Sequence, residues 1–221
     1  MGSLYDFSKL IHKKKNLLRC IFTTLLLQLI VTTLTFVFIY KNKFIKRQYT
    51  GGLLSGLIFI TFAIVLIYAM TSSNITFTER ALLFTLFSIV QGLFLGFNLQ
   101  YVRANTILGA LLFTGILFIM MLLVGFLMVY FQIDLSWLGI ILFFLLLVLI
   151  ITRIMTFFGN NSRSYDYMIT LFALLLFSVY IVYDTNTILM RYDSVKYERD
   201  CILGALDYYL DIINIFVSSL D

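Results

Sequence analysis

The sequence predicts an all-α integral membrane protein, a seven-transmembrane-helix bundle with a polar C-terminal helix packed in the interior. Three observations carry that reading. The 221 residues are 62% hydrophobic and only 12% charged, with no proline, whereas soluble domains carry about 25% charged residues. Seven apolar stretches of near-spanning length follow one another through short junctions, and they are apolar all round, which argues against a soluble helical bundle. The last stretch carries carboxylates at helical spacing. A charge at mid-bilayer costs roughly 2.5–3.5 kcal/mol, so that helix is expected to face protein or water, not lipid.

The chain opens on a basic arm, residues 1–16, expected in the cytosol, and residues 17–221 are expected to form one seven-helix membrane domain. The arm and the first apolar stretch, Leu17–Tyr40, are both too long for a signal peptide, and no small-residue cleavage site follows. In that stretch Gln28 and Thr23, Thr24, Thr32, Thr33 and Thr35 are expected to make helix-packing hydrogen bonds. A junction at 41–52 with four basic residues leads to the second stretch, Leu53–Thr71. A polar Ser-Ser-Asn run, then Glu79 and Arg80 at a membrane boundary, precede the third, Ala81–Tyr101. Gly92 and Gly96 there give a small-xxx-small pattern, expected to let a neighbouring helix approach closely. The fourth stretch, Thr106–Phe131, ends in a tight turn at Gln132–Asp134. The fifth, Leu135–Thr152, begins beside Trp137, an expected interface anchor. Gly159–Ser162 is the clearest break before the sixth, Tyr167–Asp184. The most charged junction, Met190–Asp200, leads to the seventh, Cys201–Leu220.

Charge and composition narrow the function. The net charge of +5 sits mainly in junctions and in the arm, which suits anionic lipid headgroups. No nucleic-acid-binding motif is present, and no nucleic-acid partner is expected. With a cytosolic N-terminus and seven crossings, the 16 Lys and Arg residues divide nine to seven in favour of the cytosol, so the positive-inside rule leans to that orientation. The closing segment could instead be re-entrant. His12 is the sole histidine, which removes most zinc and Ser/His/Asp chemistry. No Gly-x-Gly-Asp stands beside an aspartate and no lysine lies in the sixth or seventh stretch, so neither a di-aspartyl protease nor a retinal-type receptor is expected, and no enzyme. Cys20 and Cys201 fit neither CxxC nor metal spacing, and a disulfide framework is not expected.

The candidate chemistry lies in the last two helices. Asp207, Asp211, Asn214 and Ser218 are spaced four, three and four apart, on one helical face. Tyr180, Asp184, Thr187 and Arg191 likewise share a face of the sixth helix. A short junction makes the two helices antiparallel neighbours, and facing stripes would bring Asp184 close to Asp211. Two carboxylates in a poorly solvated site do not both ionise cheaply, so they share a proton. Protonation then holds the helices together, and deprotonation repels them or admits a cation: a pH-gated permeation path. Other readings stand beside this. Asp184 could be a helix-end cap or a partner of Arg191, Asp207 could be interfacial, and Asp211 could be a purely structural hydrogen-bonding group. Arg80 marks the membrane boundary or reaches inward as a counter-ion.

These residues carry a resemblance. Tyr183-Asp184-Thr185, followed by Asp200-Cys-Ile-Leu-Gly-Ala-Leu-Asp207-Tyr-Tyr-Leu-Asp211-Ile-Ile-Asn-Ile-Phe216, resembles the C-terminal signature of the transmembrane Bax-inhibitor-motif family, nearest to its lifeguard and Golgi anti-apoptotic branch, which includes viral members. Arg19–Thr33, Phe84-Thr85-Leu86 with Gly92 and Gly96, and Phe131-Gln-Ile-Asp134-Leu-Ser136 resemble further family segments in matching order. The resemblance implies a seven-helix fold and a calcium leak of Golgi or endoplasmic reticulum membranes, with the plasma membrane as a further location. It implies suppression of apoptosis through lowered store calcium, and a pH-sensing pair at Asp184 and Asp211 with transient calcium contact. Calcium is then a permeant ion and no cofactor is expected. Calcium, protons and the bilayer are the expected partners, with apoptosis regulators or calcium-release channels beside them; no oligomeric state follows. The alternative is a non-conducting regulator acting through protein partners, with residues 191–199 as its contact. Asp207, where the nearer branch has asparagine, and Asn186, where glutamine is usual, depart from the pattern, as do a missing proline between the second and third helices and Ser88–Gln91 in place of an acidic residue.

Overall fold

The computed structural model describes residues 4–42, 53–72, 75–158, 163–191 and 197–220. They form seven helices: α1 (Leu4–Lys41), α2 (Leu53–Thr71), α3 (Phe77–Asn98), α4 (Ala104–Tyr130), α5 (Leu138–Phe158), α6 (Arg163–Met190) and α7 (Tyr197–Ser218). Six helices contain windows long and apolar enough to cross a membrane; in α2 the described apolar stretch is Ile58–Thr71. The protein is an all-α integral membrane protein. The Gly159–Ser162 break, the acidic and basic residues at 192–196, most of the 41–52 junction and residues 73–74 of the Ser-Ser-Asn run lie outside the described residues.

α1 begins at Leu4, so the basic arm is helical and continuous with the first span. Its 38 residues reach about 57 Å at ~1.5 Å per residue, against a hydrocarbon core of about 30 Å. The lysine-rich first turns therefore extend past the apolar layer. The start of α3 follows from local chemistry. Thr76 caps it, its Oγ1 accepting from Glu79 N while Glu79 Oε2 accepts from Thr76 N at 2.8 Å, a reciprocal box that satisfies two otherwise orphaned donors. α4 stops at a Schellman motif. Ile133 N donates to Met128 O and Gln132 N to Val129 O, both at 3.0 Å, with Gln132 at φ 56.

The chain divides into two compact units. The first comprises Met1–Lys15, Ala104–Ser194 and Leu210–Asp221, hence α4, α5, α6 and the second half of α7. Within it α6 packs on α4 and α5. The outward positions of α4 and α5 are large and apolar, including Leu112, Ile116, Phe143 and Phe144, all exposed as a lipid-facing surface requires. Trp137 is exposed at the start of α5.

The second unit comprises Asn16–Arg103 and Val195–Tyr209, hence most of α1, with α2, α3 and the first half of α7. α2 packs on α3. α1 lies against α3 at Gly92 and Gly96: a Cβ at Gly92 would sit 2.7 Å from Thr32 O, and one at Gly96 2.7 Å from Ile39 Cβ. The small-residue pattern is thus a close helix crossing. α7 runs against α1, with Phe22 stacked on Tyr208 at 5.9 Å.

Here the expectation about cysteine fails. Cys20 and Cys201 form a disulfide, their Cα atoms 5.7 Å apart across 181 residues of sequence. No local spacing signals it, because the pairing is made by the fold bringing α1 to the start of α7.

Candidate functional site: the carboxylates of α6 and α7

Asp184 and Asp211 are both buried, at 9% and 4% exposure, on helices whose own surfaces are polar only in stripes. Both carboxyls, and Tyr183, lie within electrostatic reach of the Tyr180 hydroxyl. Three of the expected site residues from two helices therefore converge within the first unit. Thr187 is half-buried on the same α6 face. Arg191 is exposed at the end of α6, and its charge reaches Asp134 in the α4–α5 turn.

The α6 segment around Asp184 is fixed on three sides. Thr185 Oγ1 donates to Ile181 O at 2.7 Å, and its side chain fills the space over Gly125 of α4, where a Cβ would lie 2.6 Å from Thr185 Cβ. Tyr183 lies over Gly139 of α5, where any Cβ would collide with the phenol. Asn186, 2% exposed, reaches the α4–α5 turn: its Nδ2 donates to Ile133 O at 2.8 Å and its Oδ1 accepts from Leu135 N at 3.2 Å. The residues flanking Asp184 thus hold its helix at a set depth and rotation. Sequence reading marked Asn186 only as a departure from a motif. Its partners lie more than fifty residues away, so no local sequence signal pointed to this role.

On α7, Asn214 Nδ2 donates to Leu210 O at 2.8 Å, so it satisfies its own helix, and Ser218 is buried at 5% exposure. Asp207 is half-buried and belongs to the second unit, one turn before Asp211. Arg80, also in the second unit, is buried and caps the end of α2: its guanidinium donates to Met70 O, to Ser72 O at 2.9 Å and to Ile75 O at 3.5 Å. A cation over the last carbonyls of a helix complements its dipole. The second unit also holds a polar cluster that sequence reading missed in part. Fully buried Tyr209 lies edge-on to Phe84 and Phe87, with its hydroxyl 2.6 Å from Thr32 Oγ1. Thr32 Oγ1 is 3.0 Å from Gln28 O and 3.2 Å from Ser88 O. Carbonyls only accept, so Thr32 donates to one of them and accepts the Tyr209 proton. The packing role expected of Gln28 and Thr32 is met, and Gln28 Nε2 donates to Thr85 Oγ1 at 3.1 Å.

Chemically, two buried carboxylates within electrostatic reach of one phenol can hold a proton or meet a cation. Two side chains are few against the six to eight oxygens that a resident calcium ion takes, so the set suits passing contact with an ion.

Comparison with known proteins agrees with this architecture. The family described as "Inhibitor of apoptosis-promoting Bax1" matches residues 14–221. The chain is 29% identical over 158 residues to Bax inhibitor 1 of Schizosaccharomyces pombe, covering 72% of this chain and 57% of that protein. It is 28% identical to the BI1-like protein of Arabidopsis thaliana, covering 92% and 78%. It is 26% identical to the Golgi anti-apoptotic protein of vaccinia virus, covering 95% and 85%. With a match that runs from the basic arm through both aspartates to the last residue, the chain belongs to the Bax inhibitor family.

Proposed function

We propose that the protein is a pH-sensitive, calcium-permeable leak of Golgi or endoplasmic reticulum membranes that suppresses apoptosis by lowering store calcium. The observation that carries this reading is the burial of Asp184 and Asp211 within the electrostatic reach of Tyr180. An isolated charge in a spanning helix is costly, so buried carboxylates there mark ion or proton pathways. With one proton shared, the pair is compact and the path closed. With the proton lost, like charges repel, the helices part and a divalent cation is attracted. Calcium is the permeant ion, and the protein supplies position and charge. The anti-apoptotic role is supported by the likeness to the vaccinia virus Golgi anti-apoptotic protein.

The test in cells compares wild type with the double variant Asp184→Asn, Asp211→Asn at equal expression. The reading expects wild type to lower store calcium and protect against an apoptotic stimulus, and the double variant to lose both. Protection that survives in the double variant favours a non-conducting regulator acting through protein partners.

A further inference from the structure

The pairing of Cys20 with Cys201 has no part in the carboxylate chemistry. Cys201 is fully buried in the first turns of α7, with Thr24 Oγ1 3.8 Å from its sulfur. Cys20 is partly exposed on α1, immediately after Arg19. Further along, α7 is held to α1 without covalent help by the Phe22–Tyr208 stack and the Thr32–Tyr209 hydrogen bond. The disulfide adds a covalent tie between α1 and the first turns of α7.

With the cytosolic N-terminus towards which the positive-inside rule leans, this end of both helices faces the cytosol, where disulfides are reduced by glutathione and persist only as transient, sensing bonds. We propose that Cys20 and Cys201 form a reversible thiol-modification site for glutathione, which locks and unlocks the start of α7. Cys20 is the entry sulfur because it is the accessible one. Its thiolate attacks one sulfur of glutathione disulfide, and the S–S bond breaks to leave a mixed disulfide on Cys20 and one glutathione thiolate. The Cys201 thiolate then attacks the Cys20 sulfur, forming the intramolecular bond and releasing the second glutathione thiolate. The two protons lost by the cysteines are taken up by the two glutathiones, and the cysteines are oxidised as the glutathione disulfide is reduced. Reduced glutathione reverses both steps: one thiolate attacks the Cys20 sulfur and releases Cys201, and a second attacks the glutathione sulfur of the mixed disulfide and releases Cys20 and glutathione disulfide.

The experiment uses purified full-length protein in liposomes, equilibrated in buffers of varied reduced-to-oxidised glutathione ratio. Free thiols are counted by maleimide mass-tagging, and amide hydrogen exchange is followed in the same samples. The expected result is two thiols that appear and disappear together and reversibly, with exchange in residues 201–206 slowing several-fold in the oxidised form. The variant Cys201→Ser is expected to trap one glutathione on Cys20, and Cys20→Ser to take none. A bond that survives excess reduced glutathione in the folded protein makes the disulfide a permanent staple and overturns the proposal. So do thiols that never pair in oxidised glutathione, or a Cys201→Ser protein that acquires no adduct. These readouts do not involve calcium, so they succeed or fail separately from the channel reading.

Discussion

Replacing Asn186 by alanine removes both hydrogen bonds that tie α6 to the α4–α5 turn, at 2.8 and 3.2 Å. A neutral intramolecular bond contributes about 0.5–1.5 kcal/mol net, so the pair is worth about 1–3 kcal/mol. Ile133 is 43% exposed and Leu135 half-buried, so water replaces part of what is lost and the expected cost falls to about 1–2 kcal/mol. For a chain of this length each kcal/mol moves the melting temperature by about 2–4 °C, giving a drop of about 2–8 °C. The assay is built into the sequence. Trp137, the single tryptophan, stands in the segment that Asn186 holds, so its emission reports the turn directly during thermal unfolding in detergent. Asn186→Asp keeps the acceptor for Leu135 N and loses the donor to Ile133 O, so it should fall between wild type and alanine or below both if the new charge stays ionised. A melting temperature within about 1 °C of wild type for Asn186→Ala, with Trp137 emission unchanged, would refute the latch and with it the account of how α6 is positioned.

Two further outcomes are expected. Gly92→Ala should cost about 1–3 kcal/mol, because its Cβ meets the Thr32 backbone carbonyl at 2.7 Å and that atom cannot step aside. Gly109→Ala meets nothing within 4 Å and should gain about 0.5–1 kcal/mol of helix propensity; equal shifts of the two melting curves would contradict the α1–α3 crossing. The Asp134 carboxyl is held below its usual range by hydrogen bonds from the Ser136 hydroxyl and then the Ser136 N–H, with Arg191 adding to them. A lowered carboxylate contributes stability that is present above its unfolded value of about 3.9 and is lost as pH falls through the lower folded value. Trp137 emission should therefore titrate below about pH 4 in wild type, and Asp134→Asn should abolish that transition.

The parts of the architecture written in composition were legible in the chain. α2 runs over the same Leu53–Thr71 that hydropathy marks, and the glycine pair announced its crossing. α6 and α1 are longer than their apolar cores. Thr187-Ile188-Leu189-Met190 continues the α6 helix past Asp184, and the amphipathic Phe7–Ile11 turn continues α1 backwards into the basic arm. Apolar windows end where charge begins, whereas helices end where backbone caps form. The burial of Asp184 and Asp211 was legible because charge in an apolar segment is costly and therefore visible. The Asn186 latch was not, since an amide's partners here are backbone atoms more than fifty residues away in sequence. The Cys20–Cys201 bond was invisible for the same reason.

The measurement that bears most directly on the central claim is calcium flux through the purified protein in liposomes as a function of pH, with wild type beside Asp211→Asn. Loss of the shared proton should open the path, so wild-type flux is expected to rise with pH. Asp211→Asn removes one of the two interacting carboxylates and should flatten that dependence. Flux in Asp211→Asn that follows the wild-type pH curve, at the same amplitude, would contradict the gate.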